Sequence, residues 1–338
     1  MSQTKINIEF ANILIACKKK AIKSITNCYH PNCNKKSINS HILQKNGILS
    51  TIADNNRHVW EMIINQFKEP HFQFKKTGIN DVYSFKCFCN EHDSNLFKKI
   101  EKGKIDFKDY ESCLLFTLRT IYNEIFRKEV NLKLYQCLHN KIPEKFDNPY
   151  FHEFVRQEDL GLKDLKKEEN DIWNDINNGT KSFVFEHRHI PKIDACLSAF
   201  YNYDTSEEMQ NYINKYGVDM ERISSIFINC FPYNNSSILL MGYNKKDEKK
   251  VKAYFYTFFR EKEKFMQRYL TNLFLFRCET WVCSDTFHKK NISGVENIYA
   301  DATKFSMKEL NERRIHPLNF FKGDFKQQLK DWRKINIG

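Results

Sequence analysis

Cys28-Tyr29-His30-Pro31-Asn32-Cys33 and, much further along, Cys89-Asn90-Glu91-His92 are the stretches that decide the reading of this 338-residue chain. Each is a tight turn carrying two metal-type donors, Cys-x4-Cys in the first and Cys-x2-His in the second. A tetrahedral Zn²⁺ asks for four sulfur or imidazole donors at about 2.0–2.3 Å, and two short-spaced pairs supply them with only two loops left to close. Residues 28–45 read as a loop entering a short strand, with Ile38, Ser40 and Ile42 on one face and Asn39, His41 and Leu43 on the other. Val82 to Phe88 reads as a second short strand, and Asp93 as the N-cap of a helix carrying Leu96, Phe97 and Ile100. A knuckle, a hairpin and a helix bearing the second pair make a treble-clef arrangement, with Cys28, Cys33, Cys89 and His92 as zinc ligands. Cys87 and His30 are competing donors ranked below these four. The residues between the pairs exceed the usual spacing and must hold an insertion, read as a helix over 54–67 opened by Asp54. The plainer alternative is a set of buried thiols beside a surface histidine.

Further out, residues 109–139 have the period of a long helix, with Leu114, Leu118, Ile121, Tyr122 and Ile125 as its apolar stripe. Pro143 and Asn148-Pro149 break the chain, and 153–180 reads as a charged helical connector ending at Gly179. Phe183 to Ile190, Asp194 to Tyr203 and Ile226 to Tyr243 read as strands, the last turning at Pro232-Tyr233-Asn234-Asn235. A long amphipathic helix then faces Val251, Phe255, Phe258, Phe265, Tyr269 and Leu273 inward, as core. The expected class is α+β. A zinc-stabilised domain with packing helices spans 1–150, a connector 151–180, and an α+β regulatory or partner-binding domain 181–338, through which the chain could also oligomerise.

Composition narrows the function classes. The 54 basic and 42 acidic side chains give a net charge of +12, of which +8 lies in residues 1–110. A concentrated positive field attracts polyanions, nucleic acid above all. The chain is also rich in Lys, Asn, Ile and Phe throughout, a bias that supplies lysines without any such partner. No apolar run approaches the roughly 20 residues that cross a bilayer, and the patch Ile13 to Cys17 is too short for a secretory core. The expectation is a cytoplasmic protein with no membrane association. Eleven cysteines, an odd number without an export signal, argue against a disulfide framework; Cys113, Cys137 and Cys196 read as buried small hydrophobes. There is no P-loop, GxSxG or dinucleotide fingerprint.

Ser40-His41-Ile42-Leu43-Gln44-Lys45 lies between the two pairs. Here the chain resembles the HNH (ββα-metal) endonucleases, in particular the branch with Ser-His-Ile in place of the more common Asp-His. It is also similar to bacterial proteins, some tied to anti-phage defence, in which such a knuckle and strand precede a segment like Phe88-Cys89-Asn90-Glu91-His92-Asp93-Ser94-Asn95-Leu96-Phe97. The likeness covers residues 25–102. It implies an endonuclease acting on DNA, with His41 as general base and Mg²⁺ or Mn²⁺ at the scissile phosphate beside a structural Zn²⁺. A neutral imidazole with a pKa near ~6.5 suits that role. The family's third motif residue falls on Asp93 or Asn95, with Glu101 a further possibility, and Asn90 would fix the loop. Ser40 replaces an acidic residue or histidine, and a hydroxyl is the poorer Mg²⁺ ligand, so a catalytically silent, nucleic-acid-binding adaptor stays open, as does a ribonuclease. Arg119, Arg127 and His139 are spaced too widely for a HEPN ribonuclease motif. His187 and His189 share a strand face; Cys278, Cys283, Asp285 and His288 surround a core Trp281.

Overall fold

The computed structural model describes residues 3–64 and 72–337. In chain order it has α1 (Gln3–Ser24), β1 (Asn39–His41), β2 (His58–Ile64), β3 (Phe72–Gly78), β4 (Ser84–Lys86), α2 (Asn90–Leu96) and α3 (Lys98–Glu101). There follow α4 (Tyr110–Lys141), α5 (Pro143–Phe146), α6 (Pro149–Asn178), β5 (Phe183–Ile190), β6 (Ala195–Asn202) and α7 (Ser206–Tyr216). Then come β7 (Ser225–Tyr233), β8 (Ser236–Asn244), α8 (Glu248–Arg260), α9 (Glu263–Asn272), β9 (Trp281–Cys283), α10 (Asp285–Asn291), α11 (Glu296–Ser306) and α12 (Phe325–Asn336). The chain is therefore a mixture of helix and strand. No helix among the described residues is long and apolar enough to cross a membrane.

Two compact units divide it. The first takes the residues up to Ile42, Ser84–Lys104 and Leu118–Thr180; the second takes Leu43–Tyr83, Ile105–Thr117 and Lys181 onward. Residues 43–83 and 105–117 thus group with the C-terminal strands rather than with the segment preceding residue 150.

In the first unit, β1 pairs antiparallel with β4, and β4 leads into α2. The α4 stripe Leu118, Ile121, Tyr122 and Ile125 is fully buried. Against it lies α6, begun by Asn148, whose side chain accepts from the Phe151 N–H, with Pro149 at its first turn, and ended by Gly179 at φ 67°. Besides its charges it carries a buried face. Leu165, Ile172 and Trp173 are buried on it, and the Tyr122 hydroxyl donates to Glu169 (2.6 Å) while accepting from Trp173 Nε1 (2.7 Å). A buried carboxylate keeps its place only when hydrogen-bonded or paired, and Lys166 completes the shell at 2.8 Å. Burial and the neighbouring Glu169 push the Tyr122 phenol far above its ordinary range.

The second unit is built on a seven-stranded antiparallel sheet in the order β3-β2-β9-β6-β7-β8-β5. Along β7, Ile226, Ile228 and Cys230 join the cluster that contains Val251, Phe255 and Phe258 of α8. The alternate residue Phe231 turns the other way and stacks on Phe116, ring centroids 5.3 Å apart. Both faces of β7 are covered, so its two sides from Ile226 to Phe231 are apolar apart from the buried Asn229.

Four expectations are corrected. Residues 54–67 are not a helix: 58–64 form β2, held between β3 and β9, and 65–67 lie outside the described residues. Asp54 does cap backbone, but its carboxylate accepts from the N–H groups of Asn56 and His58, closing a turn into the strand. Asp93 is inside α2, whose cap position is Cys89. The long amphipathic helix is broken, because Glu261 and Lys262 are extended between α8 and α9, and this leaves Phe265 43% exposed. Finally, Cys137 is not a free core thiol: it is disulfide-bonded to Cys17, joining α1 to α4 across 120 positions beside Ala21, Val130, Leu134 and Leu138.

Closing so long a loop restricts the unfolded chain, worth about 4–5 kcal/mol in the entropic limit and commonly ~2–4 kcal/mol as realised. Cys137→Ser, or a reductant on the native protein, should lower the urea midpoint of the helical unit, read by far-UV circular dichroism. An unchanged midpoint, together with two alkylatable thiols at Cys17 and Cys137, would show that no bond is formed.

Candidate metal centre

The first donor pair sits on a small knuckle. Asn27 bridges to Lys36, the Cys28 N–H donates to the Lys35 carbonyl (2.9 Å), and the Ser37 N–H to that of Thr26 (2.7 Å). Within it the Cys33 N–H reaches the His30 carbonyl (3.1 Å), with Asn32 at φ 60°, a left-handed position that asparagine adopts at little cost. The second pair follows β4 directly. The Ile38 N–H donates to the Phe88 carbonyl (2.8 Å) and the Tyr29 N–H to that of Cys87 (2.9 Å), so the knuckle and the β4 exit are laced together through the main chain.

The result is convergence. The Sγ atoms of Cys28, Cys33 and Cys89 and a ring nitrogen of His92 all lie within 4.8 Å of one another. His92 Nδ1 is 3.5 Å from Cys28 Sγ and 3.4 Å from Cys89 Sγ. Metal–sulfur bonds of about 2.3 Å and a metal–nitrogen bond of about 2.0–2.1 Å at the tetrahedral angle require a sulfur–nitrogen edge of about 3.5 Å. The two sulfur–nitrogen edges from His92 have that length and Cys33 Sγ lies within 4.8 Å of the other donors, so the group could hold a zinc ion, and it is too soft a set for Mg²⁺ or Ca²⁺.

The surroundings act on the thiols in opposite directions and fix the imidazole. Cys28 Sγ accepts two backbone N–H groups, from Cys89 (3.2 Å) and His30 (3.4 Å). Burial nevertheless pushes the Cys28 thiol up to about 11, whereas the backbone N–H of His92 holds Cys89 below its ordinary value. A dication at the centre of the four donors would override the burial penalty and deprotonate the sulfurs. The His92 ring stacks on His30 with centroids 3.7 Å apart, and His30 in turn meets the edge of Trp173. Burial, with His30 next, lowers the His92 pKa, which keeps its nitrogen available as a ligand.

The other sequence-derived positions separate. Cys87 is buried and lies outside the donor group, its thiol pushed well up by burial. His30 is a stacking partner rather than a donor. Ser40 is buried and its hydroxyl donates to Asp93 Oδ1 (2.7 Å), joining β1 to α2. His41 is half-buried on β1, opposite Ser84 of β4, and Asn95 is exposed on α2. Glu101 is committed to Arg119, a buried guanidinium that also lies 3.9 Å over the Phe97 ring. His189 Nδ1 rests 2.8 Å from Ser236 Oγ, and His187 lies near Phe107. Cys278, Trp281 and Cys283 are core. A second donor group, His139, Asp147 and His152, was not assembled from the sequence. The visible signal was a histidine on either side of the breaks at Pro143 and Pro149.

No family model, curated protein or solved structure matches this chain.

Protein purified without added zinc should carry one tightly held Zn²⁺ whose X-ray absorption spectrum reports three sulfurs and one nitrogen. Cys89→Ser should release it and lower the unfolding temperature by several degrees, since zinc binding of this kind is folding free energy. A metal-free chain with unchanged melting would remove the site.

Proposed function

We propose that this chain is a metal-dependent, HNH-like endonuclease that hydrolyses phosphodiester bonds in DNA, built on a treble-clef zinc module and serving bacterial anti-phage defence. The observation that supports the reading is the four-donor cluster flanking a Ser-His strand, with the knuckle and β1 before the β2–β3 segment and β4 and α2 after it. The zinc in this reading is structural. It holds β1 and α2 in register, while the basic surplus of residues 1–110 attracts the phosphate backbone.

Hydrolysis needs a water deprotonated in line with the departing oxygen. His41 is assigned as the base that accepts that proton. Asp93 is the carboxylate hydrogen-bonded to the same strand, through Ser40, and Asn95 on the same helix would face the substrate. Mg²⁺ binds through one or two carboxylates together with water and substrate phosphates, so Asp93 would be its protein ligand; such an ion, or Mn²⁺, would supply charge neutralisation at the phosphate. The defence role rests on the family resemblance, and restraint of the nuclease by residues 181–338 on the layout of the chain.

One observation favours a second reading. The Ser40 hydroxyl already occupies Asp93 Oδ1, where an acidic residue at position 40 would instead leave two carboxylates for a cation. A nucleic-acid-binding adaptor with a silent zinc scaffold would look like this.

Full-length protein incubated with supercoiled plasmid, single-stranded DNA and RNA, in Mg²⁺ or Mn²⁺, separates the readings. The expected result is nicking of DNA that falls by about 10²–10⁴ in His41→Ala, with the tight zinc retained. Cleavage untouched by that substitution removes His41 from the chemistry. Binding of DNA without cleavage supports the adaptor, and cleavage confined to RNA the ribonuclease.

A further inference from the structure

Three donors converge where α4 gives way to α6. His139 lies in the last turn of α4, Asp147 follows α5, and His152 lies in the first turn of α6. The chain is bent back here by its own local chemistry: α5 starts on Pro143, and Asn148 caps α6 with Pro149 at its first position. Aromatic contacts hold the bend, with Phe146 against Phe151 (4.8 Å) and Tyr135 against both Phe151 and Phe154. The disulfide at Cys137 anchors the α4 end two positions before His139.

The two imidazoles converge on a single carboxylate oxygen. His152 Nε2 is 3.0 Å from Asp147 Oδ1 and His139 Nε2 is 4.0 Å from it, and the three donor atoms lie within 4.8 Å of one another. Ligands about 2.0–2.2 Å from a common ion stand about 3.0–3.5 Å apart, so a small rotation of side chains that are 40–69% exposed closes the set. An ion here would leave little desolvation to overcome, and water would fill its remaining positions. Lys145, two positions before Asp147, lies over the Phe10 ring, 5.0 Å from its centroid. Two imidazoles and one carboxylate form a borderline donor set that selects zinc-like ions over Mg²⁺ or Ca²⁺. With only three protein ligands it differs in kind from the closed four-donor cluster at Cys28.

We propose that His139, Asp147 and His152 are a second metal site, one that takes a zinc-like divalent ion exchangeably and keeps coordination positions open. It does not depend on the nuclease reading.

The test uses untagged full-length protein, dialysed against a weak chelator and then titrated calorimetrically with Zn²⁺ alone. Beyond any zinc retained through dialysis, the wild type should take up one further equivalent reversibly. His139→Ala combined with His152→Ala should weaken that uptake at least tenfold while leaving the retained zinc and the melting temperature unchanged, and Asp147→Asn should weaken it less. Wild-type protein that takes up no further equivalent overturns the proposal, as does a double variant that binds it undiminished. A chain that retains no zinc through dialysis, yet still binds an equivalent lost in the double variant, would sink the Cys28–His92 centre and leave this one standing.

Discussion

The Cys89 N–H donated to the Cys28 sulfur is a modest bond, yet much of the first unit is arranged around what it joins. It brings the exit of β4 against the knuckle, and with it the imidazole of His92 against two sulfurs. Four donors within 4.8 Å of one another, three of them thiols, constitute a high local density of groups that would repel one another as anions. Only a shared cation reconciles that proximity with the charge state that thiolate ligands need. The main-chain lacing between Ile38 and Phe88 and between Tyr29 and Cys87 sets the separation before any ion arrives.

Behind the cluster is a polar network that a purely hydrophobic core would not need. Trp173 presents its ring edge to His30 and its indole N–H to Tyr122, which in turn donates to the buried Glu169. Each buried polar group has a partner, so the network is satisfied where it would otherwise cost several kcal/mol. The ring stack on His92 is therefore carried by a rigid chain of contacts extending to α4 and α6, and ligand orientation is linked to helix packing rather than to a loose loop.

The parts of this architecture that repeat along the sequence were readable from it. The α4 stripe declared its helix through Leu118, Ile121 and Ile125, Gly179 marked the end of α6, and the strands from 183 onward were apolar and bounded by turn residues. The four sulfur and imidazole donors were readable for a different reason: short spacing ties each pair into one turn, and the chemistry of the residue types does the rest. What failed was local signal with two meanings. Asp54 before Val59, Met62 and Ile63 looks like a capped helix, but the same run is β-branched and apolar on both faces, as an interior strand requires, and its partners lie in β3 and β9. The break after Arg260 carries neither glycine nor proline. The Cys17–Cys137 bond joins residues whose nearness exists only after helices pack, and no spacing rule announces it, while the His139–Asp147–His152 group is marked only by the proline breaks between its histidines.

The division of the chain has a practical consequence for anyone handling the gene. The backbone passes between the two units at 42/43, 83/84, 104/105, 117/118 and 180/181, so neither unit is a contiguous stretch that can be excised and expressed. During translation the ribosome delivers β2 and β3 long before β9, whose Cys283 and Val282 pair with Trp60 and Glu61. Until then the outer side of β2 is an unpaired edge, the kind of surface on which nascent chains associate. Truncation at residue 150 or 180 would make that interval permanent, which favours point substitution over deletion for dissecting this protein.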